Sequence, residues 1–208
     1  VNDFYNRIIG HYEVPLQHPG RDRFRGRIWR ISFGDAKLRS KELPGYGLNL
    51  TELSVPQLLD VIQETPTAQK NLARDLIADR KDSDVNAVLI SRLQNSDAMV
   101  RRYVLRLLAQ RNALSLDALA AATNDPDELV RVHAFRALRE FPATAIPEAE
   151  ASALLRRGFG DLSAMVRRAA VAAASRHLSG ELTAPLLRML HTTDLADAHL
   201  RHSIRIAL

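Results

Sequence analysis

"DPDELVRVHAFRAL", residues 125–138, decides how this 208-residue sequence is read. Counting from Val130, the apolar Ala134, Ala137 and Leu138 follow at offsets of four, seven and eight. At 3.6 residues per turn those positions share one face of a helix. Asp127 stands three residues before Val130, where a carboxylate can cap the free N–H groups of a first turn. Pro126 belongs to the turn that precedes it.

The same pattern recurs without gaps in "VRRYVLRLL" from Val100, "VRRAAVAAA" from Val166 and "LRHSIRIAL" from Leu200. A weaker copy, "QKNLARDLI", starts at Gln69. Successive copies from Gln69, Val100, Val130, Val166 and Leu200 are 31, 30, 36 and 34 residues apart. A fixed period of this size marks a tandem array of one supersecondary unit. Asp97, Ser163 and Asp197 occupy the capping position that Asp127 holds. Each copy follows another amphipathic stretch: Val55 to Gln63, Val85 to Leu93, Leu116 to Thr123, Glu148 to Arg157 and Thr183 to Leu190. Short polar turns such as "QNSD" and "NDPDE" separate the two halves. These features predict about five helical pairs, each burying its apolar faces against its neighbours.

The N-terminal region is of another kind. "HPGRDRFRG", residues 18–26, is a turn cluster, and beyond it Trp29, Ile31 and Phe33 alternate with more polar residues. That two-residue period predicts a half-buried strand, with "DFYNRII" as its partner and "KELPGYGLNL" as a linker. The charge is segregated in the same way. The formal net charge is +5; residues 1–41 hold nine Lys and Arg against four Asp and Glu, and residues 42–208 hold twenty of each. There is no cysteine, which excludes disulfides and thiolate metal sites within the sequence. No apolar run is long enough for a transmembrane helix. The first residue is Val1, and "IRIAL" closes the sequence inside a helical pattern, so a segment of a longer protein is expected.

The repeat resembles the HEAT-repeat family, in its short bacterial form related to the lyase-like repeats. The likeness covers about Leu53 to Leu208 and rests on the pattern "D…VR..A...L". In that family the turn Asp and the helix Arg build ladders between neighbouring repeats. The resemblance therefore implies a structural role for Asp125 with Arg131 and Asp161 with Arg167, with Arg101 and Arg201 at the same register and Asn95 in place of the acid in one copy. "DFYNRIIGHYEVPLQHPGRDRFRGRIWRI" is similar to the end of the sorbosone/glucose-dehydrogenase-like β-propeller of large planctomycete-type exported proteins. In those proteins HEAT repeats and then a c-type haem domain follow the propeller. This likeness implies a periplasmic or exported location, with any dehydrogenase chemistry in domains outside this chain.

Other candidate residues have plainer roles beside the functional one. His199 and His202 lie one helical turn apart near His191, Asp194 and Asp197, and could share a metal; both also suit a solvent-facing helix surface. Asn6, His11 and His18 sit in a loop-rich region, but no site assembles from them without further propeller blades. Arg21, Arg23, Arg25, Arg27 and Arg30 could bind phosphate, yet exposed edge strands commonly carry such charge. Arg101, Arg131, Arg167 and Arg201 recur once per repeat and read as structural.

The expectation is an all-α, right-handed α-solenoid of about five HEAT-like helical pairs with a short N-terminal β-hairpin. The divisions are 1–35 for the hairpin, 36–52 for a linker and 53–208 for the solenoid. The expected role is scaffold and spacer, binding a protein partner or neighbouring domains, with no catalytic residues, no cofactor, no nucleic acid and no membrane insertion. The alternative is a nucleic-acid-binding HEAT-repeat protein or a DNA-glycosylase-like enzyme. It would need a basic concave face with aromatic side chains, and the balanced charge of residues 42–208 argues against one.

Overall fold

The computed structural model describes residues 17–19, 48–65 and 67–208, and the backbone of residues 2–3 and 27–28. The chain divides into two compact units, Val1–Tyr46 and Gly47–Leu208. In the first, Asn2–Asp3 pairs antiparallel with Arg27–Ile28, Asn2 opposite Ile28 and Asp3 opposite Arg27. The rest of the expected hairpin, with Trp29, Ile31 and Phe33, lies outside the described residues, as does most of the linker.

The second unit is helical throughout its described length. Ten helices follow one another among the described residues: α1 (Val55–Glu64), α2 (Thr67–Asp79), α3 (Val85–Ser91), α4 (Ala98–Gln110), α5 (Leu116–Ala122), α6 (Glu128–Glu140), α7 (Glu148–Phe159), α8 (Ala164–Ala174), α9 (Gly180–Thr192) and α10 (Ala198–Ala207). Each odd-numbered helix packs on the even-numbered helix that follows it. The even-numbered helices also pack in series, α2 on α4, α4 on α6, α6 on α8 and α8 on α10. This is an α-solenoid-like helical array, in which each unit buries its faces chiefly against its neighbours.

The helix starts follow from the residues before them. Ser54 accepts from the Gln57 N–H while the Gln57 side chain takes the Ser54 N–H, a reciprocal cap on α1. Asp97, Asp127 and Asp197 accept from first-turn N–H groups of α4, α6 and α10. Ser163 holds the same position before α8, but its hydroxyl makes no capping bond. The turn that follows α4 passes through Asn112, whose φ of 54° is left-handed and tolerated by Asn. That turn brings the Ala113 N–H to within 2.8 Å of the Leu108 carbonyl.

Two boundaries differ from expectation. Helix α9 begins at Gly180, three residues before Thr183, because Ser179 caps it by accepting from the Glu181 N–H. Pro185 is accommodated inside the helix. The helical body also starts before Leu53: a 3₁₀ turn at Leu50–Glu52 is capped by Asn49 and buries Leu50 in the core. The last residues of the expected linker therefore belong to the body, since Leu50 is apolar and packs there.

One apolar cluster runs from Leu50 to Ala207. The residues at the first, fifth, eighth and ninth positions of the copies beginning at Val100, Val130 and Val166 are all buried. The sixth position is buried as well, by Leu105, Phe135 and Val171. A wider stripe is required because α4, α6 and α8 each lie between their own first helix and two neighbours in the row. Phe135, fully buried, sets the closest approach. A Cβ on Gly158 would stand 2.5 Å from the Phe135 ring and 2.5 Å from the Ala170 Cβ, so glycine lets α7 close on both helices.

Gly158→Ala should therefore destabilise the protein by roughly 1–3 kcal/mol, although alanine is the better helix former. The urea midpoint measures the loss, and adding Phe135→Leu should recover part of it.

Candidate interaction site

Two sets of arginines emerge from the second helices, and they do different things. The first arises from the residue after each repeat's leading Val or Leu. Arg101 donates Nε to Asp125 Oδ2 at 2.8 Å and Nη2 to Asp125 Oδ1 at 2.7 Å, a two-pronged grip on the next turn. Its Nη1 donates backwards to the carbonyls of Asn95 and Ser96 in its own turn. Arg131 repeats the arrangement, with Nε and Nη2 on Asp161 and Nη1 on the carbonyls of Asp125 and Pro126. Each aspartate also accepts the N–H two residues on, from Asp127 and Ser163 respectively.

Planar guanidinium groups match carboxylates in this geometry, and a lysine would not. The pairs are also shielded: the side chains of Arg101 and Asp125 are 13% and 11% exposed, and those of Arg131 and Asp161 are 18% and 13%. Burial pushes the Asp125 carboxyl up, but its hydrogen bonds from Arg101 and Asp127 outweigh this and hold it below the ordinary value. Asp161 is held down first by its bond from Arg131. The ladder thus places Asp125 and Arg131 in successive links, Arg101–Asp125 and Arg131–Asp161.

The pattern changes in the last two copies. Arg167 grips the Asp161 and Leu162 carbonyls but pairs with no carboxylate among the described residues. The position equivalent to Asp161, five residues before the repeat start, is Leu195 in the turn before α10. Arg168 supplies a substitute contact, Nη2 to Asp197 Oδ1 at 2.9 Å. Arg201 donates Nη1 to the carbonyls of Leu190 and Thr193.

The second set lines a groove across α2, α4 and α6. Two cavities of about 630 and about 320 Å³ both have Arg106 and His133 in their walls. Arg136 lines the larger, while Lys70, Arg102 and Tyr103 line the smaller. Arg106 and Arg136 are exposed and make no hydrogen bond or ion pair among the described residues; Arg102 donates Nε only to the Ala98 carbonyl, at 3.3 Å. Lys70 Nζ lies 2.7 Å from Met99 Sδ, a weak acceptor. Glu140, at one edge, is the only acid in the walls of these two cavities. His133 registers the convergence: burial, then the positive charges of Arg136, Arg102 and Arg106, push its imidazole down to about 4.

Helices α4, α8 and α10 contain arginine and no Asp or Glu. The charge balance of residues 42–208 is thus a sum over opposed faces. The premise that these repeats lack a basic face is corrected by this groove. Arg106 and Arg136 share the seventh position of consecutive copies, a recurrence that could have indicated it.

His199 and His202 are exposed on α10. Among the described residues no group of three or more His, Asp and Glu gathers as a metal site would require. His18 lies in a turn and is half-buried; Asn6, His11, Arg21, Arg23, Arg25 and Arg30 lie outside the described residues, and of Arg27 only the backbone is described. No helix is long and apolar enough to cross a membrane among the described residues.

A further set of structural contacts has no signature in the repeat pattern. It comes from the residue eleven places after the starts at Gln69, Val100 and Val166. Arg111 donates Nη1 to the Arg80 and Ala78 carbonyls and Nε to Asn86 Oδ1. Arg80 donates to the Leu53 carbonyl. Buried His177 meets the Leu138 carbonyl at 2.7 Å through Nε2, which must carry the proton because a carbonyl only accepts. Arg111 and His177 thus satisfy carbonyls at helix ends of the preceding unit, and Arg80 satisfies one at the start of its own.

No known family model matches the sequence, and no curated protein matches it. Among solved structures, the chain is similar to the crystal structure of an engineered protein. The two are 17% identical with a TM-score of 0.48, over 74% of this chain and 77% of that one.

Replacing Arg131 by Ala should cost roughly 3 kcal/mol, because it strands a shielded Asp161 carboxylate. Arg131→Lys should recover less than half, since an ammonium cannot grip both oxygens and the turn carbonyls. Chemical denaturation distinguishes the two. Acidification should act in two stages. Unfolded His133 takes a proton below its ordinary value of 6.5 while the folded form resists until about 4, so stability falls as pH drops through that interval. Below it, Asp125 and Asp161, whose folded values are depressed, lose their contribution as they protonate. His133→Gln should remove the His133 part of the first stage and leave the second.

Proposed function

We propose that this chain is the scaffold and spacer segment of a larger exported, dehydrogenase-like protein. In this reading residues 48–208 are a right-handed stack of five HEAT-like pairs, and residues 1–35 are the last strands of a β-propeller. The repeats hold neighbouring domains or a protein partner against the row of second helices and contribute no chemistry of their own. The observation that carries the interaction role is the cross-linking of that row. Arg101–Asp125 and Arg131–Asp161 tie successive units at their turns, which suits a surface whose spacing must be kept. The helical pairing, with one leading Arg in each of the four strongest copies, supports the HEAT-like assignment. The likeness of residues 1–33 to a propeller end supports the parentage and the periplasmic or exported location.

A nucleic-acid-binding reading also has an observation in its favour, the basic groove around His133. Photo-cross-linking from position 110, replacing Gln110 at the groove wall in the full-length protein, separates the two. Adducts within the same chain or to a protein are expected. Adducts to nucleic acid, together with a duplex-DNA mobility shift that persists from about 50 to about 200 mM salt, would contradict the scaffold reading.

A further inference from the structure

We propose that the groove across α2, α4 and α6 is a docking site for an extended acidic peptide segment, whose carboxylates pair with Arg102, Arg106 and Arg136 beside Tyr103 and Lys70. This rests on the interaction role proposed above and names the chemistry of the partner.

The first support is the contrast between the two sets of arginines. Arg101 and Arg131 are already matched with carboxylates, whereas Arg106 and Arg136 have no partner among the described residues. Holding Arg102, Arg106, Arg136 and Lys70 around these cavities with Glu140 as the one acid in their walls is unfavourable in the free protein, and an arriving carboxylate relieves it. The second support is shape. Adjacent packed helices lie about 8–10 Å apart, so three of them present a run of roughly 20 Å, the reach of about six extended residues. Alternate residues of such a segment point the same way about 7 Å apart, so a row of acidic side chains can address successive helices.

The third support favours a peptide over nucleic acid. Phosphate backbones are drawn by an extensive basic footprint and held by aromatic platforms. Here the basic side chains gather at two cavities on α2, α4 and α6, and Tyr103 is the single aromatic side chain in their walls. The positive region is local, and a short segment with spaced carboxylates fits it.

The test is fluorescence anisotropy on the whole chain, with a labelled peptide of alternating Glu and Ser, about ten residues long, at about 150 mM salt. Saturable binding is expected, weakened about tenfold or more by Arg106→Glu with Arg136→Glu. The charge-matched control, Arg188→Glu with Arg205→Glu, should change it less than about twofold. On unaltered protein, NMR should show the His133 imidazole titrating at higher pH when peptide is bound, because nearby carboxylates favour its charged form. Absence of saturable binding, equal loss in the control, or an unmoved His133 would overturn the proposal. So would a single-stranded oligonucleotide of equal charge that binds more tightly than the peptide. The photo-cross-linking result is independent: protein adducts at position 110 without peptide binding would reject only the acidic occupant. Nucleic-acid adducts would reject the interaction role itself.

Discussion

Everything in the helical body depends on guanidinium groups held between two turns. Arg101 and Arg131 each use one nitrogen to close their own turn and two others to seize the aspartate of the next. Apolar packing between repeats is non-directional and tolerates sliding. A two-pronged ion pair shielded from solvent does not, because a small displacement leaves a carboxylate desolvated and unpaired. The aspartates are fixed in turn by accepting the N–H at the start of the following helix. Turn geometry, helix start and inter-repeat spacing are thereby set by one group of atoms.

This arrangement divides the arginines by position. Those following the leading Val or Leu donate to turn carbonyls, and two of them, Arg101 and Arg131, also form the ladder. Arg102, Arg106 and Arg136, further along the same helices, line the groove, and their fields converge on His133. The same residue type therefore does structural work at one register and leaves unmatched charge at another. Helices that contain arginine without acids are stable in this fold because the balancing carboxylates stand in the turns and on other helices.

The helical pairs were legible in the sequence because burial imposes a helical period on the residues from Val100, Val130 and Val166, and because Asp97, Asp127 and Asp197 mark helix starts by their own chemistry. The start of α9 was less legible. Ser179 signals a cap, but Pro185 and the isolated apolar Leu182 obscure the first turn. The direction of the ladder also needed three dimensions: Asp125 and Arg131 are neighbours in sequence, yet the Asp125 carboxylate belongs to Arg101. The groove was hidden for a different reason. Net charge sums over all faces, so acids elsewhere in the chain cancelled Arg102, Arg106 and Arg136 on paper, although the turn acids Asp125 and Asp161 pair with Arg101 and Arg131 instead. His177 and Arg111 serve helix ends in the preceding unit, a relation that no local pattern expresses.

The central claim is that the Arg–Asp ladder makes neighbouring helical pairs a single cooperative unit. Native-state hydrogen exchange on the intact chain and on Arg131→Lys tests it most directly. In the unaltered protein the core amides of α4, α6 and α8 should open together, with one free energy and one denaturant dependence. In Arg131→Lys the amides of α7 to α10 should open at lower free energy than those of α3 to α6, splitting one unit into two. Unchanged, uniform protection in the variant would contradict the account, and would mean that apolar packing alone sets the spacing of the repeats.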